Sequence, residues 1–258
     1  MPSHLRVRPL LRLLHIWWPA ALGWSIAVVV RRATGRPWDP VGVAVLLLGI
    51  VAAYSLDRIA DAGPDEPRWM RRLLVAVTAI ATVLGGLLLP VLPVASAAVV
   101  VIAALAATLY PSVKRLPLGK TLIVPLVWTW CGIVLPSGEA SWLGWRGLVE
   151  PVALPIFLLF VAGCLLCDLK DAAIDRAAGV PSVPALVGVS RATAMALGVA
   201  ALAGVVAMLE GRPGLALSAV ALCAAGLRPA LLAVPDVGPL VVDVILTLPG
   251  LLIAARLV

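Results

Sequence analysis

The sequence predicts an all-α, polytopic membrane protein, and three observations carry that prediction. Of its 258 residues 62% are hydrophobic and only 13% charged, where a soluble domain averages roughly half apolar and a quarter charged. The mean hydropathy of +1.10 leaves too little polar surface to coat a water-soluble globule, which excludes a soluble enzyme, a disordered chain and a fibre. The apolar residues also fall in blocks close to the roughly 20 residues a helix needs to cross a bilayer.

Nine such blocks make nine expected transmembrane helices in one domain over 1–258. The first, 10–30, follows Arg6, Arg8 and Arg12 and stops at Arg31 and Arg32. It is long enough to cross and lacks a small-residue cleavage site, so it reads as a retained span and not a secretory signal. The second, 40–57, opens after Pro37 and ends among acids. Spans 73–92 and 94–111 are separated by Pro93 alone, which predicts a tight hairpin. Span 118–136 ends before Gly138, and 151–168 ends in a second acidic cluster. Spans 191–209, 213–229 and 239–256 complete the set, with 213–229 the weakest and expected to be short or tilted.

Charge placement orients them. The net charge is +7, and in a chain this poor in charges the excess speaks to topology, with no nucleic-acid partner expected. Fourteen of the 20 Lys and Arg lie at the N-terminus, at the ends of spans two, four, six and eight, or in the connections that follow them. That places the N-terminus in the cytoplasm and the C-terminus outside, in a multi-pass protein of the cell (inner) membrane. Arg31, Arg32 and Arg36 dissent from this arrangement.

The acids are concentrated. Seven of the 13 acidic residues (Asp57, Asp61, Asp65, Glu66, Asp168, Asp171, Asp175) gather at the ends of spans two and six, both on the expected cytoplasmic side. Residues three or four apart share a helix face, so Asp57 and Asp61 point one way, as do Asp168, Asp171 and Asp175. Like charges so placed require a cation or a Lys/Arg network among them. Mg²⁺ takes carboxylate oxygens and commonly bridges to substrate phosphates. The plain alternative is a pair of wet helix ends whose acids pair with Arg58, Lys170 and Arg176. Two acidic clusters on one side, each followed by Arg, favour the metal site. A third element, Tyr110-Pro-Ser-Val-Lys114-Arg115-Leu-Pro-Leu-Gly-Lys120, supplies cations there that suit phosphate oxygens, although positive-inside topology alone also explains them.

Taken together, Asp57-x-x-x-Asp61, Tyr110-x-x-x-Lys114 and Asp168-x-x-Asp171-x-x-x-Asp175-Arg-Ala-Ala-Gly resemble the UbiA superfamily of intramembrane prenyltransferases. The resemblance covers nearly the whole chain, and its most specific part is the second acidic motif on through Gly179 to Pro184. It implies nine helices around a central cavity open to the cytoplasmic side. It also implies Mg²⁺ as cofactor and a prenyl group moved from an allylic diphosphate to an aromatic or quinone-precursor acceptor. Asp57 and Asp61 would then bind one metal group, and Asp168, Asp171 and Asp175 the other. Tyr110 and Lys114 would contact the diphosphate and, with Asp175, act in catalysis, while Arg115, Lys120, Arg68 and Arg176 would add diphosphate contacts. The chain departs from the family at Ala53 and Tyr54, where the pattern commonly has Asn and Asp, so two oxygen ligands are absent. A membrane terpene cyclase needs the same metal site. A transporter or binding protein would need ionisable groups through the membrane middle, where Asp243 stands nearly alone.

The other polar residues carry less. Asp243 is expected near the cytoplasmic start of span nine, to orient an acceptor, take a proton or pair with Arg228. His15, Trp17, Trp18, Trp142 and Trp145 read as interfacial, with an acceptor contact as the alternative for His15. Trp128 and Trp130, deeper on span five, read as lipid-facing, with one of them lining a prenyl pocket through its π face as the alternative. Cys164 and Cys167 read as small apolar residues of one helix. The stretch Glu139 to Glu150 is an outer connection, and Asp39, Glu210 and Asp236 are solvated loop acids.

Overall fold

In hydrocarbon every backbone N–H and C=O must bond within the chain, which makes the helix the spanning form for such apolar runs. The computed structural model describes residues 4–61, 67–113, 115, 116, 118–138, 149–234 and 237–256. Among these are nine helices of at least 14 residues. They are α1 (His4–Thr34), α2 (Pro40–Asp61), α3 (Arg68–Leu88), α4 (Val94–Val113) and α5 (Gly119–Ser137). After them come α6 (Ala153–Cys167), α7 (Val189–Leu209), α8 (Pro213–Gly226) and α9 (Val237–Ala254). Among the described residues six helices are long and apolar enough to cross a membrane, and α8 and the Val94–Tyr110 part of α4 are shorter apolar helices. At 1.5 Å per residue the 14 residues of α8 reach only about 21 Å.

α1 packs on α2, α5 and α9, α5 on α6, α6 on α7, α8 and α9, and α8 on α9, so the first and last helices meet and close the bundle. The hairpin expected of α3 and α4 is not how packing is shared. A 3₁₀ turn, Leu89–Val91, intervenes, and α3 packs on α2 while α4 packs chiefly on α5. Both keep large apolar side chains exposed, Leu87 by 70% and Val94 by 87%. A monomer in water seldom presents a contiguous surface of that kind, and hydrocarbon suits it.

Small residues allow close helix approach. On α7, Ala192, Ala196, Ala200, Ala203 and Ala207 form one fully buried stripe against α6 and α8. On α9, a Cβ at Gly250 would lie 2.4 Å from Ser25 Cα of α1. The Gly250 amide donates to Ser25 Oγ at 2.9 Å, and that hydroxyl donates to the Thr247 carbonyl at 2.9 Å. Pro249 has no N–H and therefore frees the Ile245 carbonyl one turn back, which instead accepts Ser218 Oγ of α8 at 2.9 Å.

Two of the three arginines that dissented from the charge rule, Arg31 and Arg36, are engaged by the fold, as is Arg212. Arg31 lies over the Trp38 ring at 5.4 Å, Arg36 pairs with Glu150 at 2.5 Å, and Arg212 donates to the Ala33 carbonyl at 2.9 Å. Asp39 is no solvated loop acid: its Oδ1 accepts the amides of Val41 and Gly42 at 3.0 Å and caps α2. Glu210 likewise is half-buried, with Oε2 lacking a hydrogen-bond partner.

Candidate functional site

The acidic run after α6 does not continue as one α-helix. Asp168–Asp171 forms a 3₁₀ turn, and a short helix, Ala172–Ala177, follows. In a 3₁₀ turn residues i and i+3 eclipse, so Asp168 and Asp171 stand one above the other more squarely than an α-helix would hold them. Arg176 Nε and Nη2 both donate to the Ala185 carbonyl, at 3.1 and 3.0 Å, which ties this segment to the short helix Val183–Val187. Gly179 makes the turn between them with a positive φ of 68°.

α5 begins opposite this turn. Leu118, with φ 62°, is a non-glycine residue in the left-handed region, and it starts α5 so that Lys120 sits in the first turn. Lys120 Nζ lies 2.6 Å from Asp168 Oδ1 and 3.8 Å from Asp171 Oδ2. Lys170 Nζ also pairs with Asp171 Oδ2, at 2.7 Å. The Asp168 side chain is only 3% exposed, and its Oδ2, like Asp175 Oδ2, is buried with no hydrogen-bond partner. Desolvating a carboxylate is expensive unless it is paired. Half of Asp168 is satisfied by Lys120, and an unpartnered oxygen remains beside it.

The acids of α2 share this end of the bundle. Tyr110, near the end of α4, is in electrostatic range of Lys120, Asp57 and Asp168 together. Tyr54, one turn before Asp57, is in range of Asp243, Cys164, Cys167 and Asp57. The ends of α2, α4 and α6 and the starts of α5 and α9 therefore converge on one volume. Cys164 and Cys167 are free, half-buried thiols on its α6 wall.

Behind the acids stands a stack of rings. Trp128 of α5, expected at the lipid face, is instead buried at 9% exposure. It meets Phe160 of α6 in a stacked arrangement, with centroids 5.4 Å apart and planes at 24°. Tyr54 packs edge-on against it at 5.9 Å and 83°. The position where the family pattern commonly has Asp thus contributes an aromatic wall. Trp17, with 57% exposure, keeps the outward setting expected of an interfacial residue.

Asp243 is buried at 8% exposure, and among the described residues no Lys or Arg pairs with it, so the expected Arg228 pair does not form. Arg68 and Arg115 are exposed at helix ends. Lys114, Asp65, Glu66, Trp142, Trp145 and Asp236 lie outside the described residues, as do the side chains of Asp61 and His15. Among the described residues no three His, Cys, Asp or Glu side chains are grouped so as to hold a metal ion as they stand. Lys120 occupies the space between Asp168 and Asp171 instead.

No family model and no curated protein matches the chain by sequence. Its fold does match solved structures. The apo structure of a UbiA homologue from Aeropyrum pernix K1 superposes with a TM-score of 0.73 at 21% identity, over 93% of this chain and 98% of that one. A UbiA homologue from Archaeoglobus fulgidus bound to DMAPP and Mg²⁺ matches at TM-score 0.59 and 12% identity, over 94% and 98% of the two chains. The same homologue bound to GPP and Mg²⁺ matches at 0.56 and 12%, over 95% and 99%. The chain has the fold of these UbiA homologues.

Proposed function

We propose that this chain is a Mg²⁺-dependent intramembrane prenyltransferase of the UbiA superfamily, transferring a prenyl group from an allylic diphosphate to an aromatic or quinone-precursor acceptor. The observation that carries the reading is the convergence of Asp57, Tyr110, Lys120 and the Asp168–Asp175 segment at one end of a bundle with the UbiA fold. Neighbours of that fold bind DMAPP or GPP with Mg²⁺.

The residues fit the ion. Asp168 Oδ2 and Asp175 Oδ2 are buried oxygens with no partner, and Mg²⁺ is a hard cation that takes oxygen ligands. Asp168, Asp171 and Asp175 would hold it from α6, and Asp57 and Asp61 from α2. Bound there, Mg²⁺ neutralises diphosphate charge and improves the leaving group.

The chain's own groups do the rest. Lys120, together with Lys114 and Arg115 of the same connection, offers cations to the diphosphate oxygens as the allylic C–O bond breaks. When phosphate draws Lys120 away, Asp168 is released to oxygen-seeking cations, while Lys170 still pairs with Asp171. Tyr110, near the end of α4, would orient the diphosphate. Trp128 and Phe160 close the far side of the site with apolar rings that keep water out. The cytoplasm supplies the charged head, and the bilayer supplies the tail at about 0.8 kcal/mol per buried CH₂.

The test is turnover of purified protein with Mg²⁺, labelled dimethylallyl or geranyl diphosphate and a panel of phenolic acceptors. Diphosphate release with a prenylated product is expected, reduced about 100-fold or more in Asp171→Ala and in Lys114→Ala. Unchanged turnover in both variants overturns the assignment.

A further inference from the structure

Among the described residues two acids are buried, Asp168 and Asp243. Lys120 answers the first. Nothing described answers the second: Asp243 forms no ion pair, and no donor reaches its carboxylate. One turn on, Thr247 Oγ1 donates to the Asp243 backbone carbonyl at 2.7 Å, so its single proton is committed elsewhere. A buried carboxylate left this way costs stability, and an ionisable group inside a membrane bundle is a functional candidate by default.

Its place in the bundle bears this out. Asp243 is six residues into α9, about 9 Å from the helix start, and Tyr54 is seven residues before the end of α2, about 10 Å deep. Gly163 lets α9 press on α6, because a Cβ there would lie 3.0 Å from Leu246 and 3.2 Å from Val242. Asp243, next to Val242, is in electrostatic range of Tyr54 on α2 and of Cys164 and Cys167 on α6, and none of these is a cation. α6 and α9 pack on each other, whereas α2 packs closely on neither. Tyr54, Cys164 and Cys167 are enclosed by the bundle and in range of one another, yet each is only half-buried. The interval between α2 and the α6–α9 pair is therefore accessible, and Asp243 lies on its wall, a turn or so deeper than the acids.

We propose that Asp243 binds the hydroxyl of the acceptor and takes its proton, so that the acceptor is a phenol presenting a neutral hydroxyl to α9. The proposal rests on the prenyltransferase reading above and adds the acceptor's head group and the residue that meets it. A carboxylate or phosphate head would be repelled at this position, where no cation stands beside Asp243. Taking the hydroxyl proton loads electron density onto the ring carbons. As the allylic C–O bond breaks, its electron pair leaves with the diphosphate. An activated ring carbon forms the new C–C bond, the hydroxyl proton passes to Asp243, and the ring oxygen becomes a carbonyl. The hydrogen on the alkylated carbon then leaves to water as a proton, and Asp243 returns its own to the oxygen. One diphosphate and one proton are released per transfer.

The experiment gives the full chain Mg²⁺, labelled geranyl diphosphate and a series of phenols of graded acidity, with the methyl ether of one member, and compares wild type with Asp243→Asn. For a weakly acidic phenol kcat/KM should fall about 100-fold or more in Asp243→Asn. The loss should shrink along the series and vanish for phenols already ionised at the assay pH. Thermal stabilisation by Mg²⁺ with geranyl diphosphate should be the same in both proteins, and the wild type should leave the methyl ether unprenylated. That last measurement needs no variant and decides the matter even where Asp243→Asn folds poorly: equal use of phenol and methyl ether overturns the proposal. An unchanged kcat/KM in Asp243→Asn, one uniform loss along the whole series, or a lost response to Mg²⁺ with geranyl diphosphate overturns it too. Each of these leaves the prenyltransferase reading intact. A wild type that releases no diphosphate with any acceptor overturns both.

Discussion

Removing Lys120 should expose how much of the acidic site depends on a built-in cation. Its Nζ lies 2.6 Å from Asp168 Oδ1 and 3.8 Å from Asp171 Oδ2. At an effective dielectric near 20 these contacts amount to about 6 and about 4 kcal/mol of Coulomb attraction before desolvation is subtracted. Desolvation is large here, because the Asp168 side chain is 3% exposed and that of Lys120 only 26%. The useful quantity is therefore the cost of breaking the pair. Lys120→Met strands a buried carboxylate and should destabilise the protein by about 3–5 kcal/mol. Asp168→Asn removes the charge that would be stranded, so Lys120→Met in that background should cost about 2 kcal/mol less. The assay is a double-mutant cycle of equilibrium unfolding in mixed detergent micelles, without Mg²⁺. The cycle should then be repeated with Mg²⁺ and no substrate. If the same oxygens hold the ion, Lys120→Met should gain more from Mg²⁺ than the wild type does, up to about 2.7 kcal/mol at one hundred times Kd. A coupling below about 0.5 kcal/mol would refute the buried pair. Equal Mg²⁺ stabilisation in both proteins would refute the competition between ion and ammonium.

Three further predictions concern the frame that holds the site. Ser218→Ala leaves the Ile245 carbonyl, already freed by Pro249, without its donor. It should cost about 1–3 kcal/mol in the same unfolding assay, and Ser218→Ala with Pro249→Ala should recover part of that by restoring the backbone bond. No recovery would show that the carbonyl is satisfied some other way. Gly250→Ala places a Cβ 2.4 Å from Ser25 Cα, forces α1 from α9 and should destabilise by about 2 kcal/mol or more; a neutral result would mean that the seam is looser than described. Asp39→Ala should cost about 1 kcal/mol through loss of the α2 cap, whereas Asp39→Asn or Asp39→Ser should cost less than half of that.

Helix placement was legible because apolar blocks of near-bilayer length admit only one backbone solution in lipid. Span 118–136 is α5 at Gly119–Ser137 and span 191–209 is α7 at Val189–Leu209, each within two residues at either end. The acidic motifs could be read from spacing, since short-range periodicity fixes which carboxylates share a face. Three features could not. The 3₁₀ turn at Asp168–Asp171 is a local tightening that spacing of three and seven does not distinguish from an α-helix. Trp128 is apolar, and in a chain where lipid and core are equally greasy, hydropathy cannot say which of the two it faces. Asp39 looked like a loop acid because a single Asp after Pro37-Trp38 carries no sign of the two amides its carboxylate would meet. Pairing between distant elements, such as Lys120 with Asp168 or Ser218 with Ile245, depends on helix neighbours that no local pattern encodes.

The departure at Ala53 and Tyr54 and the stack behind the site are two sides of one substitution. An acidic residue at position 54 would project a charge at the place where the Trp128 ring lies, and a carboxylate without a metal would be costly against that apolar surface. With tyrosine there, α2 carries one carboxylate fewer and gains a brace for Trp128. The carboxylate supply shifts toward α6, which provides three acids against two from α2, and the cation supply shifts to Lys120, which neutralises the surplus on that side. Tyr54→Asp should therefore strengthen Mg²⁺ binding, read as a larger thermal stabilisation by the ion. In the absence of Mg²⁺ it should lower stability by about 1–3 kcal/mol through loss of the contact with Trp128 and burial of an unpaired carboxylate; an unchanged response to Mg²⁺ would refute the link.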